Sequence, residues 1–419
     1  MPTFRSLDRS RRALFVTYGA GHVAKIAPVV QALEKRGTEC LVIALTIGYK
    51  KAVQLGLRPF GYRDFLALWG NQCETVLERG RTLSAGNTHP DVDEFETACY
   101  LGSNFQEWAD ELGREAAERL FAERGRHGFM PVRFMGRILD HLQPGVVVAT
   151  STPRSEEACI RAAVARGIPT LTMVDLFAPP SDPFVRRPVH ADCITVVSHE
   201  VKAQFVASGI PEEKIAVTGS PDFDELFAEE AAVGGKRFRE RLGWQNRRVV
   251  LWAGILEPDS AALPGPVLGM EVEQRLRSWV RKRDDAALVV RYHPSQFHHF
   301  PVQPPERNVH ASDVGSEPIA ALLNACDVVI HQVSTVGLQA ALLGKRVLHL
   351  EFSRWVENVD FDLSSFGLSE GVQSLEDLIP TLERPRPLAK NGTMNVPAGP
   401  SAGRVASLVG KLLEEKRNP

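Results

Sequence analysis

Four loops in this 419-residue chain hold side chains whose types and spacing can do chemistry, and each follows an apolar run. The first reads Tyr18-Gly19-Ala20-Gly21-His22. Gly19 and Gly21 allow close approach of the backbone to a ligand, and a helix start there favours an anion or a polar sugar. The spacing lacks the third glycine and the later acid of a full dinucleotide fingerprint, and a plain tight turn is the alternative. His22 is either a general base, since imidazole titrates near neutrality, or a capping or merely exposed histidine. The second loop, Gly254 to Ser260, carries Glu257 and serves either substrate contact or solvation. In the third, Arg291 to Ser295, Pro294 fixes the exit turn, and His293 is placed to donate to a phosphate or a base carbonyl, unless it is structural. The fourth runs from His331 and Gln332 through Ser334, Thr335 and Gly337 to Gln339. Two hydroxyls and the N–H groups of a helix start make a phosphate cradle, while simple capping by Ser334 or Thr335 is the plainer reading. Asp175, at the end of a further apolar run, is a candidate base with no partner nearby in sequence.

The elements that must position these loops follow from the apolar pattern. Residues 13–17 form a short apolar run, a helix follows from about 23 to 35, and a second strand covers 39–45. That strand–loop–helix–strand unit opens a doubly wound parallel sheet, whose buried strands read as continuous apolar runs. Residues 50–140 read as largely helical, near 68–80 and 92–124, with a polar loop over 79–90. Its segment 80–87 is either a lid or an ordinary surface loop. Strands resume at 145–149, 170–174, 193–197 and 214–218, with helices over 155–166 and 198–208. The charge-rich stretch 224–247 reads as a connector. The pattern then restarts, with strands at 248–253, 286–292, 327–331 and 346–351 and a helix at 337–343. A last helix, 402–415, follows a proline-rich stretch long enough to return it to the first half. The expected domains are therefore 1–225 and 226–395, with 396–419 packing back on the first.

Composition narrows the function classes. A net charge of −2 offers no global attraction to nucleic acid or an anionic membrane. Cys40, Cys73, Cys99, Cys159, Cys193 and Cys326 are scattered without metal or redox spacing, as in a reduced, cytoplasmic protein. No stretch of eighteen apolar residues occurs, so no transmembrane segment is expected, although peripheral membrane contact stays open. No metal-ligand cluster is evident and no cofactor is expected.

These motifs resemble the GT-B group of nucleotide-sugar enzymes. Tyr18 to His22, followed by Ile26-Ala27-Pro28 through Leu33, resembles the opening of those transferases, including the one that adds N-acetylglucosamine to a lipid-linked muramyl precursor. Ala191-Asp192 through Pro221 is similar to the end of the first domain there and in UDP-N-acetylglucosamine 2-epimerases, and Ser334 to Lys345 resembles the nucleotide-sugar helix of capsule-type glycosyltransferases. The resemblance implies an α/β fold of two Rossmann-like doubly wound domains facing a central cleft. It implies a nucleotide-sugar donor, UDP- or CMP-linked, on the second half, and a glycan, lipid or small-molecule acceptor on the first. Ser334, Thr335 and His293 would bind donor, and His22 would lie near the reacting centre. Gln339 stands where related transferases often carry an acid. The 2-epimerase pattern of a glycine pair, two successive acids and an Arg-Pro-Glu sequence is not present, so the expected activity is glycosyl transfer. Epimerisation or hydrolysis, and a non-catalytic sugar-nucleotide-binding subunit, are the alternatives.

Overall fold

The computed structural model describes residues 11–85, 91–174, 182–257, 267–294, 296–355, 367–385, 396–397 and 399–415. The chain divides into two compact units, Met1–Asp222 with Val396–Pro419, and Phe223–Asn395.

In the first unit, β1 (Arg12–Tyr18) leads through Gly19 into α1 (Ala20–Glu34) and β2 (Glu39–Leu45). Next come α2 (Ile47–Gln54), β3 (Pro59–Phe60), a 3-10 segment (Tyr62–Gln72) and the helices α3 (Cys73–Ser84), α4 (Glu94–Leu112), α5 (Arg114–Arg124) and α6 (Val132–Leu142). The unit continues with β4 (Val146–Thr150), α7 (Ser155–Val164), β5 (Thr170–Met173), β6 (Cys193–Val196), α8 (His199–Ala207) and β7 (Ile215–Val217). These strands form a seven-stranded sheet in the order β3-β2-β1-β4-β5-β6-β7, with parallel pairing throughout.

Alternation along β1 explains the layering. Leu14 and Val16 face a core shared with Tyr62, Phe65, Trp69 and Phe134, whereas Ala13 and Phe15 face α1. A strand covered on both sides has no polar face to show, hence the unbroken apolar run. The polar loop expected over 79–90 is corrected in its first half, because α3 runs on to Ser84. Glycines explain how a polar segment packs there: a Cβ on Gly80 would lie 1.9 Å from the Ala98 carbonyl oxygen, and one on Gly102 would lie 2.0 Å from that of Val76. The α3 and α4 backbones therefore touch without bulky apolar side chains between them. The rest of that loop, 86–90, lies outside the described residues.

The second unit contains α9 (Glu229–Leu242), β8 (Arg248–Gly254), α10 (Val267–Val280), β9 (Ala286–Tyr292), β10 (Val309–Ala311), α11 (Ile319–Ala325) and β11 (Val328–His331). After these come α12 (Thr335–Leu342), β12 (Arg346–Leu350), β13 (Glu370–Val372) and a short helix, Leu378–Glu383. Its six-stranded sheet has the order β10-β9-β8-β11-β12-β13 and is again parallel. The stretch read as a connector is in fact α9, which buries only Ala231, Gly235 and Phe238 and ends on Gly243 in the left-handed conformation. So narrow an apolar stripe leaves a charge-rich sequence that reads as loop. Arg239 ties it down, donating to the Ala325 carbonyl at 2.7 Å and to Asp327 at 2.6 Å.

The C-terminal helix, Ser401–Glu415, packs Val405, Val409 and Leu413 into the α1 face of the first unit. Each such burial is worth about 1.5–3 kcal/mol relative to exposure. Arg404 donates to the Thr218 carbonyl at 2.8 Å, and Arg36 to Ser407 at 3.1 Å. Among the described residues, no helix is long and apolar enough to cross a membrane.

Candidate functional site

In both sheets the strand order reverses once, between β1 and β4 and between β8 and β11. Beyond the carboxyl ends of the strands at such a point the loops diverge and leave a crevice, where open α/β sheets bind ligands.

In the first unit this point gathers His22. Gly19 turns the chain from β1 into α1 at φ +93, which a side-chain-bearing residue adopts only with strain. Among the described residues, a Cβ on Gly19 or Gly21 would meet nothing within 4 Å, and no side chain caps α1. His22, in its first turn, holds Nδ1 2.8 Å from Thr150 Oγ1 and 2.7 Å from Thr152 Oγ1. Glu156 Oε1 lies 3.5 Å from the same nitrogen; the imidazole is 20% exposed and the carboxylate fully buried. That oxygen also accepts from the Tyr18 N–H at 3.2 Å and from the Thr150 hydroxyl. Arg154, between Thr152 and Glu156, adopts φ 75 and ψ −122 and lays its guanidinium 4.2 Å from the Tyr18 ring centroid. Such a backbone is costly for arginine and persists only where its surroundings impose it. Arg187 donates to the Ser151 carbonyl at 2.5 Å and pairs with Glu157 at 3.0 Å. Lys25, three residues after His22 and buried, donates to the Val174 carbonyl at 3.2 Å.

The sequence reading missed Thr150, Thr152, Arg154, Glu156, Arg187 and Lys25. One signal was available: Thr150-Ser151-Thr152 follows a strand and precedes a helix, as loop one does. Glu156 and Glu157 read as ordinary acids in a helix's first turn. Asp175 lies outside the described residues.

In the second unit the predicted residues separate into two groups. Ser334 Oγ accepts from the Val336 N–H at 3.2 Å and is the N-cap of α12, while Thr335 is exposed and Gln339 half-buried. His293 and Pro294 stand at the surface in the turn after β9. The His293 N–H donates to the Gly254 carbonyl at 3.0 Å, and what desolvation its ring meets lowers its pKa. Gly254 is required locally, since a Cβ there would come 2.7 Å from the Tyr292 ring.

The other group is internal. Glu257 is buried: Oε1 accepts from Gln332 Nε2 at 2.5 Å and Ser353 Oγ at 2.7 Å, and Oε2 from the Arg354 N–H at 2.9 Å. Gln332 Oε1 in turn accepts from the Ile255 N–H at 2.8 Å. This carboxylate is a strut joining the loops after β8, β11 and β12. His331 is 2% exposed beneath Gly337, and neither ring nitrogen has a hydrogen-bond partner among the described residues. Burial first, and the neighbouring His349 second, push its pKa down to about 3, so it is neutral packing under α12 rather than a group presented to ligand. Among the described residues, no group of three or more His, Cys, Asp or Glu side chains is arranged to hold a metal ion.

No protein-family profile matches the chain, and no curated protein matches it in sequence. Solved structures do match. The UDP-GlcNAc 2-epimerase of Methanocaldococcus jannaschii superposes with a TM-score of 0.59 at 14% identity, over 96% of this chain and 99% of that one. The Neisseria meningitidis UDP-GlcNAc 2-epimerase, solved bound to UDP-GlcNAc, gives 0.57 at 14% identity, over 96% and 100%. The wall teichoic acid polymerase TagF gives 0.54 at 10% identity, over 98% and 91%. At such identities the likeness is one of fold, and it extends over nearly the whole chain: two parallel-sheet α/β units of the GT-B type.

Proposed function

We propose that this protein is a glycosyltransferase that moves a sugar from a UDP- or CMP-linked donor to an acceptor hydroxyl. The observation that carries the reading is His22, held by Thr150, Thr152 and Glu156 at the strand-order reversal of the first unit. A histidine oriented through Nδ1 by a carboxylate-backed network is suited to take a proton. The acceptor hydroxyl would pass its proton to His22 while its oxygen bonds to the anomeric carbon. The bond from that carbon to the donor phosphate oxygen breaks, and the phosphate leaves with the electron pair. Within the second unit, the α12 N-terminus at Ser334 and Thr335 offers N–H dipoles that suit a donor phosphate, and His293 is a further candidate for donor binding. Asp175 is the second candidate base.

One observation favours another reading. Two of the neighbours described above are UDP-GlcNAc 2-epimerases matched over nearly full length, and epimerisation or hydrolysis of the nucleotide sugar needs no acceptor.

A single set of incubations separates these readings. UDP-GlcNAc and a CMP-linked acidic sugar are each supplied with and without a panel of sugar and lipid acceptors, and all products are identified. Donor consumption that needs acceptor supports transfer. A new sugar-nucleotide epimer, or free sugar, without acceptor supports the second reading. Thermal melts run in parallel, where a nucleotide at 100 times its dissociation constant stabilises by about 2.7 kcal/mol. Stabilisation without turnover identifies a binding subunit; no stabilisation by any nucleotide overturns the sugar-nucleotide reading.

A further inference from the structure

Hydrogen accounting at His22 goes one step beyond its being a candidate base. Thr150 Oγ1 touches two partners, His22 Nδ1 at 2.8 Å and Glu156 Oε1. A hydroxyl has one proton to give, although it can accept more than once. Glu156 Oε1 is the acceptor of the Thr150 hydroxyl and also of the Tyr18 N–H. The Thr150 proton therefore goes to Glu156. Toward His22 the same hydroxyl can only accept, so this contact is a hydrogen bond only when Nδ1 is the donor. If Nδ1 carried a lone pair instead, two lone pairs would face each other at 2.8 Å in a part-buried network, with the hydrogen bond left unmade. In that Nδ1–H tautomer Thr152 Oγ1, at 2.7 Å, is a second acceptor for the same proton.

We infer that Glu156, acting through the Thr150 hydroxyl, fixes His22 in the Nδ1–H tautomer and so makes Nε2 the ring nitrogen that takes the proton. Glu156 and Thr150 are positioning residues; neither need touch substrate. The inference rests on the reading of His22 as the base. It adds to that reading which atom acts and what selects it.

The surroundings fit this role. Glu156 has no exposed surface, and its Oε2 has no hydrogen-bond partner among the described residues. A buried carboxylate on one short tether to a histidine is costly for stability alone, since replacing it with a packed apolar side chain would remove the desolvation penalty. It also offsets a local disadvantage. His22 sits in the first turn of α1, where the helix dipole disfavours an imidazolium, and Glu156 supplies a negative charge 3.5 Å away for the moment when the ring is protonated. The division of labour is that of a Ser-His-Asp triad, with a threonine hydroxyl inserted between acid and imidazole.

The test reads the tautomer directly. Full-length protein labelled with nitrogen-15 at histidine is examined by two-bond proton–nitrogen correlation at pH 8, with the His22 signals assigned by their loss in His22→Gln. The expected pattern is a protonated Nδ1 and an unprotonated Nε2. In Thr150→Val, which keeps the shape and removes the hydroxyl, the pattern shifts toward Nε2–H. Thr150→Ser, which restores the hydroxyl, returns it, and this second variant guards against a fault in folding. In a turnover assay Thr150→Val lowers kcat by roughly a hundredfold, with KM nearly unchanged and Thr150→Ser rescuing most of the loss. An Nε2–H tautomer in the wild type, or an unchanged tautomer in Thr150→Val, overturns the inference even where turnover is found. An Nδ1–H tautomer that responds to Thr150 upholds it even where no donor is turned over, and the reading of His22 as a base then fails separately.

Discussion

A methyl group on Gly337 would sit 2.1 Å from Nε2 of His331, so the first turn of α12 rests directly on a buried imidazole. Gly337→Ala forces either the ring or the helix to move. Overpacking of this kind costs about 1–3 kcal/mol, and here it also displaces the proposed phosphate cradle. Expected are a lower melting temperature and a loss of nucleotide-induced stabilisation. His331→Ala in the same chain should recover part of the stability, because it opens space for the added methyl. A Gly337→Ala protein with wild-type melting and wild-type nucleotide response would show that helix and ring are not in this contact.

The same histidine makes stability depend on pH. Folded, its pKa is pushed down to about 3; unfolded, it returns to about 6.5. Below about 6.5 the unfolded chain binds a proton that the folded chain does not, so its contribution is fully present above that pH and is lost as pH falls toward 3. The slope from this one group is at most roughly 1.4 kcal/mol per pH unit. Denaturant unfolding at pH 7, 6 and 5 should show stability falling more steeply in the wild type than in His331→Phe. Parallel curves for the two proteins would contradict the burial of a neutral imidazole here.

Glu257 is expected to matter for folding before it matters for chemistry. Replacing it with alanine removes the acceptor of the buried Gln332 amide and Ser353 hydroxyl, each at a cost of about 1–3 kcal/mol when left unpaired. Glu257→Ala should lower the melting temperature markedly, whereas Glu257→Gln, which keeps one acceptor oxygen, should recover part of the loss. A side chain used mainly for ligand contact would give the opposite pattern, with melting unchanged and nucleotide response abolished.

Much of this molecule was legible in local pattern, and the exceptions have physical causes. The runs at 13–17, 39–45, 248–253 and, from Val328, 327–331 lie in parallel strands, because a strand covered on both faces is mostly apolar along its length. The helices α3 and α9 were harder to read. One packs through glycine against another backbone and the other buries a three-residue stripe, so neither shows the usual apolar face.

The chain's own order of residues determined that glycine, histidine and hydroxyl side chains stand at the ends of apolar strands, since a loop's position after a strand is a local property. It determined His22 at the start of α1 and Ser334 at the start of α12. Only the tertiary structure decided what those residues meet. Thr150 and Thr152 lie 128 and 130 positions from His22 and reach it only because β4 pairs with β1 rather than with β2. Strand order arises from the packing of whole layers, which no window of sequence contains. The same non-local packing made Glu257 a strut and His331 a buried neutral ring, because burial and hydrogen-bond partners, unlike periodicity, are set by residues far away in the chain.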